Sequence, residues 1–291
     1  YIAPAPWHAM YSANQCLPVS RHPEERGANA HPMQREWQNE EVSRNFQNDD
    51  CIATVRPAYQ GLVSQLDHHL GRVWEAMEKL GRWRDTLVVF CSDHGDYLGD
   101  HWMGEKELFH ECSVRIPLII VDPSAAADAT RGTVEHRLVE AIDLVPTFLD
   151  LLGQDLPTHR LEGRSLRPLL HGEDTPWRDC VFSELDFAFY KARLTLGLDV
   201  QQARCWMIRT ERWKYVAFKA FERAQLFDLE NDPDELSDLG QSAAHAPIRA
   251  ELHALLFKRL ADRRNRVTVS DADVAARTDG ARANGVIIGE W

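Results

Sequence analysis

Apolar and polar positions follow different rhythms along the chain. Between Pro57 and Leu80, Tyr59, Leu62, Val63, Leu66, Leu70, Val73, Trp74, Met77 and Leu80 recur at three- and four-residue steps. Gln60, Ser64, Asp67, His68, Arg72, Glu75 and Lys79 take the other side. That period predicts an amphipathic helix about 35 Å long. Pro57 suits its first turn and Gly81 a left-handed cap at its end. Two shorter runs, Thr86 to Cys91 and Ile116 to Val121, are apolar throughout and rich in β-formers. They predict strands buried on both faces, as in a parallel sheet. Pro117 places the second run at a strand start or an edge. Asp143 suits the cap of a helix running through Leu151 and Leu152 to Gly153. Residues 1 to about 55 keep no period, which predicts a long irregular stretch.

The rhythm changes near Trp177. Val181–Ser183, Cys205–Arg209 and Trp213–Phe218 read as short strands, with Thr210, Glu211 and Arg212 as a hairpin turn. Ile248, Leu252, Leu255, Leu256 and Leu260 mark a helix from about Ala246 to Arg263. Ser270 to Asp273 has a capping-box pattern, and the apolar tail Val286 to Trp291 could pair with another subunit. The expected fold is therefore α/β, a partial doubly wound sheet in residues 1–176 followed by a small α+β subdomain in 177–291.

Charge narrows the partners. The 291 residues carry 33 Lys plus Arg against 45 Asp plus Glu, a formal net charge of −12. A phosphate backbone would be repelled, so nucleic-acid binding is not expected. No apolar run approaches the roughly 20 residues that span a bilayer, so no membrane partner is expected. The six Cys are scattered without a CxxC, which fits free thiols in a reducing, cytoplasmic setting. The chain opens on Tyr1, not Met, and reads like the middle of a longer protein, so export of that protein stays open.

Chemistry concentrates after the first predicted strand. Ligands of open α/β sheets collect beyond the carboxyl ends of strands, and Asp93 and His94 stand there. A carboxylate beside an imidazole makes half of a divalent metal site. Gly95 would let the backbone turn sharply. Asp96, Asp100 and His101 follow, and Lys106 could offer a point charge to an anionic oxyacid. The plain alternative is a turn-capping Asp beside a surface His.

Several stretches together resemble the sulfatase branch of the alkaline phosphatase superfamily, especially its phosphonate monoester hydrolases. They are Asp67 to Val73 with Thr86 to His101, Asp143 to Gly153, Leu161 to Leu170, and Gln225 to Glu235. The tail Ile287 to Trp291 is similar to the phosphonate monoester hydrolase subgroup. The resemblance implies an alkaline-phosphatase-like fold, of which this chain would be the C-terminal half. It implies hydrolysis of small sulfate, phosphonate or phosphate esters with one divalent metal. Asp93 and His94 would be metal ligands and Lys106 the oxyanion-binding lysine, although Glu105 interrupts the family's usual Gly-Lys pair. The imidazole favours Mn²⁺ or Zn²⁺, with Ca²⁺ a further candidate. Asp100, His101 and His8 are candidates for lining the site.

The family's nucleophile is a formylglycine made from Cys in C-x-P-x-R. Cys16-Leu-Pro18-Val-Ser20-Arg21 has its Arg one position late and reads as a loop thiol, a decoy, leaving no nucleophile in this chain. Nothing here matches the family's early acidic pair either. The chain alone should therefore turn over little. A different reading is a sulfatase-like scaffold or interaction module without chemistry. A two-zinc phosphatase would need a further Asp and two His that the sequence does not place. Asp67, His68 and His69 read as a solvated helix face.

Overall fold

The computed structural model describes residues 1–28 and 30–278; the tail from Val286 to Trp291 lies outside them. The N-terminal stretch is less irregular than its sequence suggests. Short 3₁₀ turns lead to helix α1 (Pro32–Asn39), capped by the His31 ring, which accepts the Met33 N–H at 3.2 Å. Helix α2 (Asp49–Lys79) is 31 residues long, about 46 Å. It starts at the Asn48 cap, with Asp49 and Asp50 in a first turn that suits acidic side chains. Pro57 is therefore inside the helix and buried, not at its start.

The expected apolar stripe of α2 is largely uncovered. Val63, Leu66 and Val73 are about half exposed and Leu80 is 73% exposed. The helix buries Ile52, Pro57 and Gly61 instead. At Gly61 a Cβ would sit 2.4 Å from the Trp7 carbonyl, so the short turn Trp7–Ala9 packs directly on the helix.

Strands β1 (Val88–Cys91) and β2 (Leu118–Val121) form a two-stranded sheet. They pair antiparallel, with Val88 opposite Val121, not in the expected parallel manner. The reason is the segment between them. It turns back on itself without a crossover helix, so the chain returns antiparallel. Neither strand is fully buried, and Ile119 is 58% exposed. Helix α3 (Leu144–Leu151) follows; Gly153 takes a left-handed φ of 67° just beyond it.

The C-terminal part is an antiparallel meander, β3 (Cys180–Asp186), β4 (Arg204–Thr210), β5 (Trp213–Phe218) and β6 (Phe221–Asp228). Helix α4 (Ala246–Ala261) covers one face, packing Leu252 and Leu256 against Ile208, Tyr215 and Leu226. Helix α5 (Asp271–Arg277) begins at the expected cap, where Ser270 accepts the Asp273 N–H at 3.0 Å. The other sheet face holds Cys205, Met207, Val216 and Phe218. Against it pack Met33 and Trp37 of α1 and Tyr97, Met103, Leu108 and Phe109 of the segment after β1. Each such buried side chain contributes roughly 1.5–3 kcal/mol. The α/β part and the α+β part thus share one core, and that core clamps the segment carrying the candidate chemistry.

Candidate active site

β1 delivers Asp93 and His94 to the rim of a wide groove of about 1580 Å³. Lys106, Glu111, Arg115, Cys91 at the end of β1, strand β2 and residues Val181 to Leu185 of β3 border the same groove. Asp93 Oδ2 and His94 Nε2 are 3.5 Å apart. The His94 Nδ1 lies 2.6 Å from the Gly95 carbonyl. A carbonyl only accepts, so Nδ1 carries a proton, and Nε2 is the nitrogen that faces Asp93. The pair therefore sets a carboxylate oxygen and an imidazole nitrogen side by side. Two ligand atoms about 2.1 Å from a cation at a near-tetrahedral angle would be separated by about 3.4 Å. The donor set and spacing fit a divalent ion. Among the described residues no third His, Cys, Asp or Glu joins them.

Asp93 is held ready as a carboxylate. Its own backbone N–H and that of His94, 3.0 Å from Oδ1, keep its pKa below the ordinary carboxylate range, with Ser92 adding a weaker contact. Gly95 serves close approach more than a special turn. A Cβ there would meet the Cys112 carbonyl at 1.9 Å. That proximity lets the Gly95 N–H donate to the Ser113 carbonyl at 2.7 Å, continuing the β1–β2 pairing past the strand ends.

Ser113 also fixes Lys106. Its hydroxyl donates to the Lys106 carbonyl while its own carbonyl accepts the Gly95 N–H, so one buried residue links the lysine to the Asp93–Gly95 corner. Between them the chain folds back, with Tyr97 N–H donating to the Glu105 carbonyl at 2.9 Å. Leu98, His101, Trp102, Glu105 and Leu108 all take positive φ in this segment. Such backbone persists only where packing over-determines it, here the shared core. The Lys106 ammonium is half exposed on the groove, 3.8 Å from Glu105.

The remaining candidates lie elsewhere. His101 is buried, its Nδ1 2.5 Å from Glu25 Oε1 and its ring stacked on His110 at 3.9 Å, so it is an interior residue and not a lining one. Asp100 turns inward to the Ser20 N–H and Arg56 guanidinium, at 2.7 and 2.6 Å. His8 is exposed on the turn that packs on α2, away from the groove. Cys16 contacts Gln60 on α2 and does not border the groove. Asp67, His68 and His69 are exposed, with Trp7 against both imidazoles. All six Cys are unpaired. Among the described residues no helix is long and apolar enough to cross a membrane.

Sequence reasoning passed over Ser113, Glu111 and Lys214. Lys214 had a signal: it shares the inward face of β5 with Val216 and Phe218, where alternation calls for an apolar residue.

The architecture is that of an α/β chain of the alkaline-phosphatase kind. A phosphonate monoester hydrolase from Silicibacter pomeroyi superposes with a TM-score of 0.82 at 31% identity, covering 92% of this chain and 55% of that one. The phosphonate monoester hydrolase of Agrobacterium radiobacter gives 0.79 at 29% identity, covering 91% and 55%. The sulfatase family model matches residues 7–154, and that of the N-sulphoglucosamine sulphohydrolase C-terminal region matches 99–262. A multifunctional alkaline phosphatase superfamily protein, PehA of Trinickia caryophylli, is 34% identical over 263 residues, 85% of this chain and 50% of PehA. An arylsulfatase of Clostridium perfringens is 31% identical over 242 residues, 80% of this chain and 47% of its own length. The chain belongs to the sulfatase family, and it spans about half the length of these curated relatives.

Proposed function

We propose that this chain is the C-terminal half of a metal-dependent hydrolase of sulfate, phosphonate or phosphate esters. Asp93 and His94 would hold one divalent cation, Mn²⁺ or Zn²⁺ before Ca²⁺, together with ligands outside this sequence. The observation that carries the reading is the 3.5 Å approach of Asp93 Oδ2 and His94 Nε2, with the Nδ1 proton held by the Gly95 carbonyl. When bound, such a cation lowers the pKa of a coordinated hydroxyl and offsets the substrate's negative charge. Lys106 lies on the same groove, where its ammonium would bind the non-bridging oxygens of the transferring group as charge develops there. The nucleophile, a formylglycine, would come from the part of the protein outside this sequence. Uncovered apolar positions on β2 and α2 agree with a fold completed by further chain.

The test compares two polypeptides. These 291 residues alone should bind Mn²⁺ weakly and leave p-nitrophenyl sulfate and phenylphosphonate esters at the background rate. A longer polypeptide including a C-x-P-x-R segment should cleave at least one of them. Asp93→Asn in it should lower metal content and turnover together. Robust turnover by the short chain refutes the division of the machinery. A longer protein that holds no metal and cleaves neither ester would instead be a scaffold without chemistry.

A further inference from the structure

We propose that Lys214 is a positioning residue, fixing Lys106 from the C-terminal sheet. The inference rests on the reading of Lys106 as the oxyanion-binding side chain. Lys214 on β5 is 0% exposed and does not border the groove. Its ammonium donates to the Phe109 carbonyl at 2.7 Å and lies 2.8 Å from Glu111 Oε1 and 2.6 Å from Glu235 Oε1. The carbonyl contact is a hydrogen bond, and the two carboxylates pair with the ammonium by charge. Glu235 Oε2 in turn accepts the Glu111 N–H at 2.6 Å, and Arg209 of β4 reaches the same Glu111 carboxylate. The end of the Lys106 segment is therefore pinned to the sheet at both backbone and side chain.

A buried ammonium shared by carboxylates is a poor device for stability alone, because an apolar residue fills such a site as well. What it adds is a directional lock. The lock acts where it is needed, since the preceding segment runs through successive left-handed residues up to Leu108. From Glu111 the chain makes one tight turn to Ser113, which bonds the Lys106 carbonyl and the Gly95 N–H. Moving the Phe109–Glu111 anchor would shift Lys106 relative to Asp93 and His94. Misplacement of a charged group by about 1 Å can cost as much as a hundredfold in rate.

A double-mutant cycle in the longer polypeptide tests this. Lys214→Met with Glu235→Gln removes the ammonium without leaving an unpaired buried Glu235, and should lower kcat about tenfold. In a Lys106→Ala background the same pair should cost almost nothing further, since both act through one group. Independent, multiplying losses would overturn the proposal while leaving the hydrolase reading intact. An unsubstituted protein inactive on every ester would overturn both. If the Lys214→Met pair fails to fold, Glu111→Gln runs the same cycle with the same criterion. Hydrogen exchange on the 291-residue chain gives a readout independent of activity. Protection should fall in residues 98–113 and hold in β4 to β6, whereas unchanged exchange at 98–113 would overturn the proposal.

Discussion

His31 should make the stability of this protein fall steeply on mild acidification. The imidazole is fully buried, stacked 4.1 Å from the Phe218 ring. Its Nε2 donates to the Arg223 carbonyl at 3.2 Å, so Nδ1 is the unprotonated nitrogen that caps α1. A second proton would break that cap and place a cation in the core. Burial lowers its pKa most, nearby Arg223 and Arg35 add to this, and the Arg223 carbonyl offsets part, leaving it at about 4 against an ordinary 6.5. Because the folded value is the lower one, the unfolded chain takes up the proton first as pH falls. Stability from this group is present above 6.5 and is lost between 6.5 and about 4. Linkage gives a loss of about 2 kcal/mol by pH 5 and about 3 kcal/mol by pH 4. His31→Asn keeps an oxygen for the Met33 N–H but does not titrate. Urea unfolding of both proteins across pH 4 to 7 checks the reasoning, since their difference isolates this one group from the carboxylates. The wild-type advantage should shrink by about 3 kcal/mol toward pH 4. Parallel curves would refute it.

Other substitutions have expected outcomes in the same unfolding assay. Gly95→Ala drives a Cβ into the Cys112 carbonyl and should cost about 3 kcal/mol, whereas Gly71→Ala, on α2 with nothing within 4 Å, should stabilise by about 0.5–1 kcal/mol. Arg178→Met strips the paired guanidinium from Asp143, which is 0% exposed and otherwise bonded to the Glu140 and Arg164 N–H groups at 2.8 and 2.7 Å. The stranded carboxylate should cost about 3–5 kcal/mol, and a loss under 1 kcal/mol would contradict the burial of that pair.

Local pattern made part of this legible. The aromatic- and apolar-rich run Trp213–Phe218 matches the bounds of β5, and the Ser270 cap marks the start of α5. Asp93, His94 and Lys106 stood out because their residue types follow a strand end, and all of them border one groove. Misreadings arose where a local rule had a rival. Pro57 suits a helix start, but the Asn48-Asp49-Asp50 cap lies upstream and the proline is accommodated within the helix. Uniformly apolar runs read as buried parallel strands, while the pairing partner was decided by how residues 92–117 fold back. His101 looked like a site residue by spacing. Its partner is Glu25, 76 positions away, and no period in the sequence encodes that meeting. Lys214 and Glu111 meet over a comparable distance for the same reason.

The shared interior also sets terms for anyone recombining relatives of this protein. A crossover placed at residue 176 would look like a clean seam, yet it would part Trp37 and Met103 from Phe187 and Val216. Grafted halves would meet across mismatched surfaces beneath Lys106. Specificity transplanted by swapping the meander alone should therefore arrive with a mis-seated lysine unless the stretch from Tyr97 to Glu111 travels with it.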